Sequence, residues 1–537
     1  MRFLQRNLFF ISKSWTNWLF LLGLLAAFFL YSQSLDMFQV GVYMDDASYV
    51  ALARGLAKEG VYGYTNVPGE VNLTRYPFGY PLLLAPLAKV FPENLKVFQL
   101  VSLVITLLNG CLLYAAGSQL GWGHSLVLRI FIPLLYLFSP LVSGHAIMAM
   151  SEAIFFFWVL LSLYLVILIL QSDTQFIVRP LLLSAAVFMV MTTRTLGYSL
   201  IIVILVAFVA GKKYRQLAVF GAGLFATVAI AWAVLPVSWQ DFGFSIEYGQ
   251  QLRNEKQYEQ IIAGDSILIR SLSLLWSYLS EGVYSVVVPI GGVGPASRVF
   301  WGKLGFGFVP SLLGLIVSCL IVVGMVCSSR EYPISLLFTV IYCGALLLWP
   351  FYLPRFLYPV LPFLCSYFLT GIEYILGVAL PCFFGIFDEK REVTLRVTIV
   401  AISIVFLFVG ILRSLPTDSS LNHTLDLREG ANWIKDNTLK DSVIMSEEPL
   451  IAFIYANRSV VDFPSDPLDL LKQIEKYGID YLLIRPMLKW TAPRTLELSA
   501  SAQAILSYIQ SRPDIFTLMY HNPMEKTYVY RVQNIRP

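Results

Sequence analysis

Two adjacent carboxylates, Asp45 and Asp46, follow the first long apolar run of the chain. An ionised side chain near a bilayer is costly unless it faces water, a partner or a bound ion, so acids at this position indicate a functional site. The alternative is that the pair caps a helix that begins near Ala47, because acids there accept backbone N–H groups and favour the positive end of the helix dipole. Both interpretations stay open at this point.

The composition indicates a multi-pass membrane protein. Hydrophobic residues make up 57% of the 537 residues and charged residues only 13%, which is about half the charged fraction of a typical soluble domain. The net charge of +4 is small and the basic residues are scattered, so nothing indicates a nucleic-acid partner. The six cysteines lie in or beside apolar runs without a CxxC pair, so no disulfide framework or zinc site is indicated.

Apolar runs of about 20 residues predict roughly eleven membrane-spanning helices. The first run, WLFLLGLLAAFFLY, has the outline of a signal peptide, but no convincing small-residue cleavage site follows it, so we interpret it as a retained first span. The later spans are predicted near residues 97–120, 127–143, 147–170, 180–193, 196–210, 216–236, 304–327, 333–351, 356–380 and 394–413.

The positions of lysine and arginine predict the orientation, because cytoplasmic loops are enriched in both. Basic loops near Gly211, Arg330 and Asp388 fall on the side of the N-terminus under this count. We therefore predict a plasma (inner) membrane protein with a cytoplasmic N-terminus. The first outer loop (36–96), the long outer loop (237–303) and the C-terminus are then extracytoplasmic.

The two ends of the outer face differ in composition. Within the first outer loop, residues 47–58 and 81–90 are predicted as helices lying along the membrane interface. After residue 416 charges return, and alternating strand and helix patterns predict a small α/β domain. The predicted strands are SVIMS, RSVVDF, DYLLI, FTLMY and TYVYRV, and the predicted helices are LREGANWIKDN, PLDLLKQIEKYG and SASAQAILSYIQ. We thus expect an all-α polytopic membrane domain (1–416) and a soluble extracytoplasmic α/β domain (417–537).

Several stretches resemble one superfamily. MDDASYVALARGLAKEGVYGY, followed by TRYPFGYPLLLAP, resembles the first outer loop of GT-C glycosyltransferases, in particular the branch of protein O-mannosyltransferases and lipid A aminoarabinose transferases. HAIMAMSEAIFFF, TRTLGYSLII, YLPRFLYPVLP and ANWIKDNTLKDSVIMSEEPLIAFIYANRSV are similar to later landmarks of that branch, in the same order along most of the chain. The resemblance implies a GT-C-like fold and a transferase that moves a hexosyl or pentosyl group from a polyprenyl-phosphate donor.

The resemblance also assigns the catalytic base to Asp45. An acceptor hydroxyl is a poor nucleophile until a positioned carboxylate removes its proton. Attack on the anomeric carbon from the face opposite the phosphate inverts the configuration, so Asp45 is expected across the sugar from the phosphate. The expected partners are membrane lipids, the lipid-linked donor and a glycan, lipid or protein that carries the acceptor hydroxyl.

Arginines are the expected ligands of the leaving phosphate. Developing charge needs cationic donors, and the planar guanidinium holds phosphate oxygens bidentately. Arg75, Arg194 and Arg355 lie in the outer loop or at the outer ends of predicted spans, and Arg355, in a largely apolar setting, is the strongest candidate. Arg253 and Lys256 are weaker candidates because their loop is highly charged. For each arginine the alternative is interfacial snorkelling or pairing with an acid.

Asp46 and Glu152 are candidates to bind the acceptor or a divalent metal ion, since hard cations prefer carboxylate oxygens. Glu152 stands at the predicted outer start of the fourth span, shortly after His145. A helix-start acid favoured by the dipole is the alternative for Glu152. The alternatives for Asp46 are that it orients the side chain of Asp45 or that it caps the helix.

Four tyrosines are candidates to contact the carrier lipid or stack on a sugar, although aromatic residues are common at membrane interfaces for physical reasons of their own. They are Tyr76, Tyr80, Tyr352 and Tyr358.

Two other functions stay open. A transporter or lipid flippase also carries intramembrane charges, but no internal repeat is visible. A non-catalytic GT-C-like assembly subunit would not need the acid pair.

Overall fold

The computed structural model describes residues 13–533 apart from 36–38, 123–125, 238–266, 290–307, 350, 380–390, 415–427, 465, 486, 490–494 and 524–525. Most of the predicted long outer loop, including Arg253 and Lys256, lies outside the described residues. The predicted domain boundary at residue 416 also lies outside them.

The first 414 residues are helical wherever they form regular structure in the described ranges. The helices are α1 Lys13–Ser34, α2 Asp45–Lys58, α3 Gly79–Val90, α4 Lys96–Leu120, α5 Leu126–Leu137, α6 Pro140–Ala146, α7 Glu152–Gln171, α8 Val178–Thr193, α9 Ser199–Ala210, α10 Tyr214–Val234, α11 Ile267–Ser277, α12 Val283–Val287, α13 Val309–Ser328, α14 Pro333–Leu348, α15 Leu361–Tyr374 and α16 Arg391–Ser414. Short 3-10 turns at Thr195–Tyr198 and Pro354–Val360 precede α9 and α15, and π-helical turns at Tyr278–Gly282 and Ile375–Ala379 follow α11 and α15.

Seven described helical segments are long and apolar enough to cross a membrane. They belong to α1, α4, α7, α10, α13, α15 with its flanking turns, and α16. Helices α5 and α6 pass the same test together, with a bend of 53° between them, and α8, α9 and α14 are shorter apolar helices. These helices, like the composition, are those of a multi-pass membrane protein, while the count of eleven spans stays a prediction.

Close packing of α13 on α15 depends on glycine. A Cβ at Gly324 would overlap the carbonyl of Tyr367, and a Cβ at Gly371 would overlap the carbonyl of Leu320. Small residues allow such close approach inside a bilayer, where the hydrophobic effect does not drive helices together. The contact holds α15 in place, and with it the turn Pro354–Val360 that precedes α15.

Helix α2 is more deeply buried than an interfacial helix would be. The ten residues from Asp46 to Gly55 are all buried, whereas a helix on a membrane surface keeps one polar face in water. Helix α2 is buried because residues of the C-terminal region cover it. Arg54 of α2 donates to the backbone carbonyl of Phe453 at 3.5 Å. The hydroxyl of Tyr455 donates at 2.8 Å to the backbone carbonyl of Val40, which lies just before α2.

The residues after 427 form a mixed sheet covered by helices. The elements are α17 Glu429–Asn437, β1 Val443–Ser446, α18 Pro449–Ala456, β2 Ser459–Val461, α19 Leu470–Tyr477, β3 Tyr481–Ile484, β4 Met487–Lys489, β5 Thr495–Glu497, α20 Ala500–Gln510, β6 Phe516–Asn522 and β7 Thr527–Val532. The strand order is β2-β1-β3-β7-β6, with β1 parallel to both neighbours and β7 antiparallel to both of its own. All five segments predicted as strands lie in this sheet; α18 and the β4–β5 hairpin were not predicted.

The segment between α1 and α4 is hydrogen-bonded to the edge of this sheet. The backbone N–H of Val460, in β2, donates to the carbonyl of Asn66 at 2.6 Å, and the Asn66 side chain donates to the carbonyl of Val460 at 2.9 Å. A reciprocal pair of hydrogen bonds fixes both segments. The sheet and the loop that carries the acid pair are therefore one packed unit.

Candidate active site

Asp45 is the first residue of α2 and lines an open cavity of about 250 Å³. Of the other residues predicted for the site, Arg75, Tyr76, Arg194 and Arg355 line the same cavity. The side chains of Asp45 and Arg355 are 20% and 23% exposed, so both groups are accessible to a ligand. The structure thus brings one carboxylate and three guanidinium groups to a common space.

The carboxylate of Asp45 is held by two hydrogen bonds. Its Oδ2 accepts from Nη2 of Arg355 at 2.8 Å, and its Oδ1 accepts from the hydroxyl of Tyr76 at 2.6 Å. Arg75 in turn donates to the Tyr76 hydroxyl at 3.3 Å and stacks over the Tyr76 ring. Hydrogen bonds to an ionised group are short and directional, so these three side chains fix the direction in which Asp45 faces.

A strained turn places Asp45 at the start of α2. Gly41 has φ +111° and Met44 has φ +58°, and the latter is uncommon for a residue with a side chain. Asp46 is 1% exposed and closes this turn, because its carboxylate accepts the backbone N–H groups of Gly41 at 2.8 Å and Ala47 at 2.9 Å. Burial raises the pKa of Asp46 to about 7. Asp46 therefore faces away from the cavity and supports Asp45 through the backbone.

Arg194 is paired with Glu152 at the back of the cavity. The chain becomes extended at Arg194, immediately after α8, which turns its side chain toward the start of α7. There Nη1 lies 2.6 Å from Oε1 of Glu152 and donates to Oγ of Ser151 at 3.2 Å. Glu152 is 2% exposed and does not line the cavity. Its position is that of a buried counter-ion that holds Arg194.

Three of the predicted tyrosines lie away from the cavity lining. Tyr80 and Tyr358 are fully buried, and their hydroxyls bond to Ser102 at 3.2 Å and Tyr136 at 2.9 Å. Tyr352 packs edge-on against Tyr278. Aromatic side chains with a buried hydroxyl usually find such partners within the fold, so Tyr80 and Tyr358 support the surrounding helices.

Tyr49 is a cavity residue that the sequence analysis missed. It lies four residues after Asp45, so the two side chains share one face of α2, and this spacing was the available signal. Its hydroxyl is 3.0 Å from Oγ of Ser151, and its ring packs edge-on against Tyr76. Further missed residues of the lining flank the predicted arginines in sequence: Pro77, Thr193, Thr195, Leu196, Trp349, Phe351, Leu353 and Phe356.

Two buried polar atoms of cavity residues lack a partner in the described part of the chain. They are Nε of Arg355 and Oγ1 of Thr195. Most buried polar atoms in folded proteins are hydrogen-bonded, and an exception needs a reason. A ligand in the cavity whose oxygens accept hydrogen bonds from these two groups would be such a reason.

The carboxylates predicted as metal ligands do not fit a shared divalent ion. Asp46 uses both oxygens for backbone N–H groups, and Glu152 pairs with Arg194. Nδ1 of His145 lies 2.7 Å from the carbonyl of Leu141. Across the described ranges, no group of three or more His, Cys, Asp or Glu side chains is placed to hold a metal ion.

Arg355 lies beside Asp45 and not opposite it. The sequence predicts that Asp45 and the arginines face each other across a bound sugar, but the 2.8 Å between the Asp45 carboxylate and the Arg355 guanidinium leaves no space for a sugar between these two groups. Arg75 and Arg194 also line the cavity, and Arg194 is paired with Glu152. The space for a ligand is therefore bounded by the Asp45–Arg355 pair together with these two cations.

Neither a protein-family model nor a curated protein sequence matches the chain. Solved structures match its fold. ArnT from Cupriavidus metallidurans in the apo state matches with a TM-score of 0.58 and 14% identity, over 96% of this chain and 98% of that one. ArnT bound to undecaprenyl phosphate matches over the same shares of the two chains, with a TM-score of 0.57 and 14% identity. The Archaeoglobus fulgidus oligosaccharyltransferase in the apo form matches with a TM-score of 0.50 and 11% identity, over 89% of this chain and 70% of that one.

These neighbours are GT-C glycosyltransferases, and ArnT is an aminoarabinose transferase. At such low identity a structural likeness establishes the fold, while function depends on the particular site. The sequence motifs quoted above predicted this outcome. The chain has the fold of the GT-C glycosyltransferases.

Proposed function

We propose that this protein is an inverting glycosyltransferase that moves a sugar from a polyprenyl-phosphate donor to an acceptor hydroxyl. The observation that carries the proposal is the accessible carboxylate of Asp45, which is held by Arg355 and Tyr76 in a cavity that Arg75 and Arg194 also line. The GT-C fold adds support, because one of its members was solved with undecaprenyl phosphate bound.

In the proposed step, Asp45 removes the proton of the acceptor hydroxyl while the oxygen of that hydroxyl attacks the anomeric carbon of the donor sugar. The bond from that carbon to the phosphate oxygen breaks, and its electron pair leaves with the polyprenyl phosphate. General-base catalysis of this kind contributes about 100- to 10,000-fold. The acceptor hydroxyl belongs to a glycan, a lipid or a protein, and the transferred group is a hexose or a pentose.

The arginines stabilise the phosphate as it leaves. Arg355 uses Nη2 for Asp45, while its buried Nε has no partner among the described residues, so one guanidinium can contact both the base and the phosphate. Arg194 is held in place by Glu152, and Arg75 by Tyr76. Cations positioned before the reaction cost no reorganisation as charge develops.

We further propose that the site faces the extracytoplasmic side of the plasma membrane. The seven long helical segments, the bent pair and the three shorter apolar helices make eleven spans if each crosses the bilayer. An odd number places the two ends of the chain on opposite sides, with the basic loops and the N-terminus cytoplasmic. The membrane domain then ends near residue 416, and the region after it is an extracytoplasmic α/β domain.

The test is sugar transfer by the purified protein in liposomes, with a series of polyprenyl-phosphate sugars as donors. Asp45→Asn is expected to lower turnover about 100- to 10,000-fold while the variant still binds polyprenyl phosphate. Glu59→Gln, which removes an exposed acid from the other end of α2, is the matched control and is expected to keep wild-type turnover. Wild-type turnover in the Asp45→Asn variant would refute the assignment of the base.

A further inference from the structure

A second cavity is lined in part by Arg54 of α2. It has a volume of about 240 Å³ and is lined by the end of the first span, the turn before α4, and helices α17 and α18. Because Leu35 follows α1 and Lys96 begins α4, two candidate spans end at this cavity. If both helices cross the bilayer, the cavity lies at the level of the lipid headgroups.

The lining of this cavity is strongly basic. The charged residues in it are Arg54, Lys96, Arg428 and Lys435, with Glu93 as the acid among its lining residues. Glu93 is already engaged, because its carboxylate, which is 56% exposed, lies 2.7 Å from Nζ of Lys435. Walls of one sign focus the electrostatic field inside a cleft and attract ions of the other sign.

The decisive residue is Arg54, a buried cation that forms no ion pair with a carboxylate among the residues that the structure describes. It is 1% exposed. Nη2 donates to the carbonyl of Pro92 at 2.6 Å and Nη1 to that of Phe453 at 3.5 Å, while the buried Nε has no partner in the described part of the chain. Burial lowers the pKa of Arg54 to about 10. A buried charge normally requires an opposite charge nearby to offset the loss of hydration.

We infer that the Arg54 cavity is a binding site for a phosphate group, separate from the cavity of the proposed glycosyl transfer. The guanidinium of Arg54 supplies the buried donor, and the ammonium groups of Lys96 and Lys435 supply charge at the mouth. Guanidinium groups match phosphate geometry better than other side chains do. The phosphate comes from a lipid headgroup at the membrane interface or from a soluble phosphorylated molecule, and the two sources are distinguished by experiment.

The test is the rate of lysine acetylation, measured residue by residue with mass spectrometry. Wild-type protein is labelled in detergent with and without pyrophosphate, and in nanodiscs of phosphatidylglycerol or phosphatidylcholine. A bound phosphate is expected to slow acetylation of Lys96 and Lys435 at least fivefold. Lys472, an exposed residue of α19 that does not line the cavity, is the internal control and is expected to react at a constant rate.

Two variants with opposite expected effects complete the test. Arg54→Gln removes the buried cation and is expected to abolish the protection, whereas Glu93→Gln removes the acid and is expected to increase it. Protection by pyrophosphate identifies a soluble phosphate source, and protection only in phosphatidylglycerol identifies a lipid headgroup. Equal rates under all conditions, equal slowing at Lys472, or full protection in a folded Arg54→Gln variant would overturn the inference. If Arg54→Gln does not fold, the wild-type and Glu93→Gln rates still decide the question.

Discussion

The two cavities beside α2 use the same types of residue in opposite ways. In the first, the guanidinium of Arg355 is 2.8 Å from the carboxylate of Asp45, and that of Arg194 is 2.6 Å from Glu152. In the second, Arg54 contacts only backbone carbonyls among the described residues. Pairing positions a charge, and a buried unpaired charge favours a ligand of opposite sign. The first arrangement suits catalysis and the second suits capture of an anion.

After the loss of the base itself, the largest expected effect follows from removing the cation beside Asp45. Arg355→Ala leaves the carboxylate with Tyr76 and takes away a ligand of the leaving phosphate, so we expect turnover in liposomes to fall about 100- to 1,000-fold. Arg355→Lys keeps the charge without the planar fork and is expected to fall between alanine and wild type. Equal rates for alanine and wild type would mean that Arg355 takes no part in transfer.

The second prediction concerns the buried ion pair between Arg194 and Glu152. Removing the carboxylate leaves Arg194, like Arg54, as a buried guanidinium without an ion pair among the described residues. Glu152→Gln removes the carboxylate from a buried ion pair, which is expected to cost about 3 kcal/mol in the free energy of unfolding. The matched control is Asp173→Asn, which breaks an ion pair between Asp173 and Lys213 with a largely exposed carboxylate and is expected to change the stability far less, because water screens an exposed pair. Thermal unfolding in detergent measures both, and similar losses in the two variants would contradict the role of Glu152.

A smaller effect is expected when the neutral donor to Asp45 is removed. Tyr76→Phe keeps the ring over which Arg75 lies but deletes the hydroxyl that donates to Oδ1 of Asp45. A hydrogen bond to a charged group contributes about 1.5–3 kcal/mol, so turnover is expected to fall at least tenfold. A change in KM alone would show that Tyr76 contacts substrate and does not orient the base.

The smallest effect concerns the pH dependence of stability. Because the pKa of Asp46 is about 7 in the folded chain and near 3.9 in an unfolded one, the folded state holds a proton that the unfolded state has lost between these values. Stability contributed by this proton is present at low pH and is lost as pH rises toward 7. Thermal unfolding from pH 4 to 8 should show this decline in wild type and a flatter profile in Asp46→Asn. Identical profiles would contradict a raised pKa.

Local patterns predicted much of the fold. The apolar runs located the long helices, and alternating polar and apolar residues located the five strands that pair in the C-terminal sheet. The burial of α2 was not predictable from its own residues, because it depends on contacts with Phe453 and Tyr455, which are about 400 residues away in sequence. Sequence periodicity indicates which face of a helix is apolar and not what covers the other face.

The candidate site was partly predictable, because the chemistry of its residues can be read from the sequence and their long-range contacts cannot. Residue chemistry and the GT-C resemblance identified Asp45, Arg75, Arg194 and Arg355, which all line one cavity. They did not indicate that Arg355 would pair with Asp45, since that contact joins residues 310 positions apart. The Arg54 cavity was also missed, because arginine in the middle of an amphipathic helix ordinarily indicates a solvated face.

The most direct test of the central claim is to map where the donor phosphate binds. A polyprenyl phosphate with a photoreactive group next to the phosphate is cross-linked to the protein in liposomes, and the modified peptides are identified by mass spectrometry. The account predicts adducts in the segments 75–77, 193–196 and 349–356, which line the Asp45 cavity. Adducts confined to residues 93–99, beside Arg54, would contradict it.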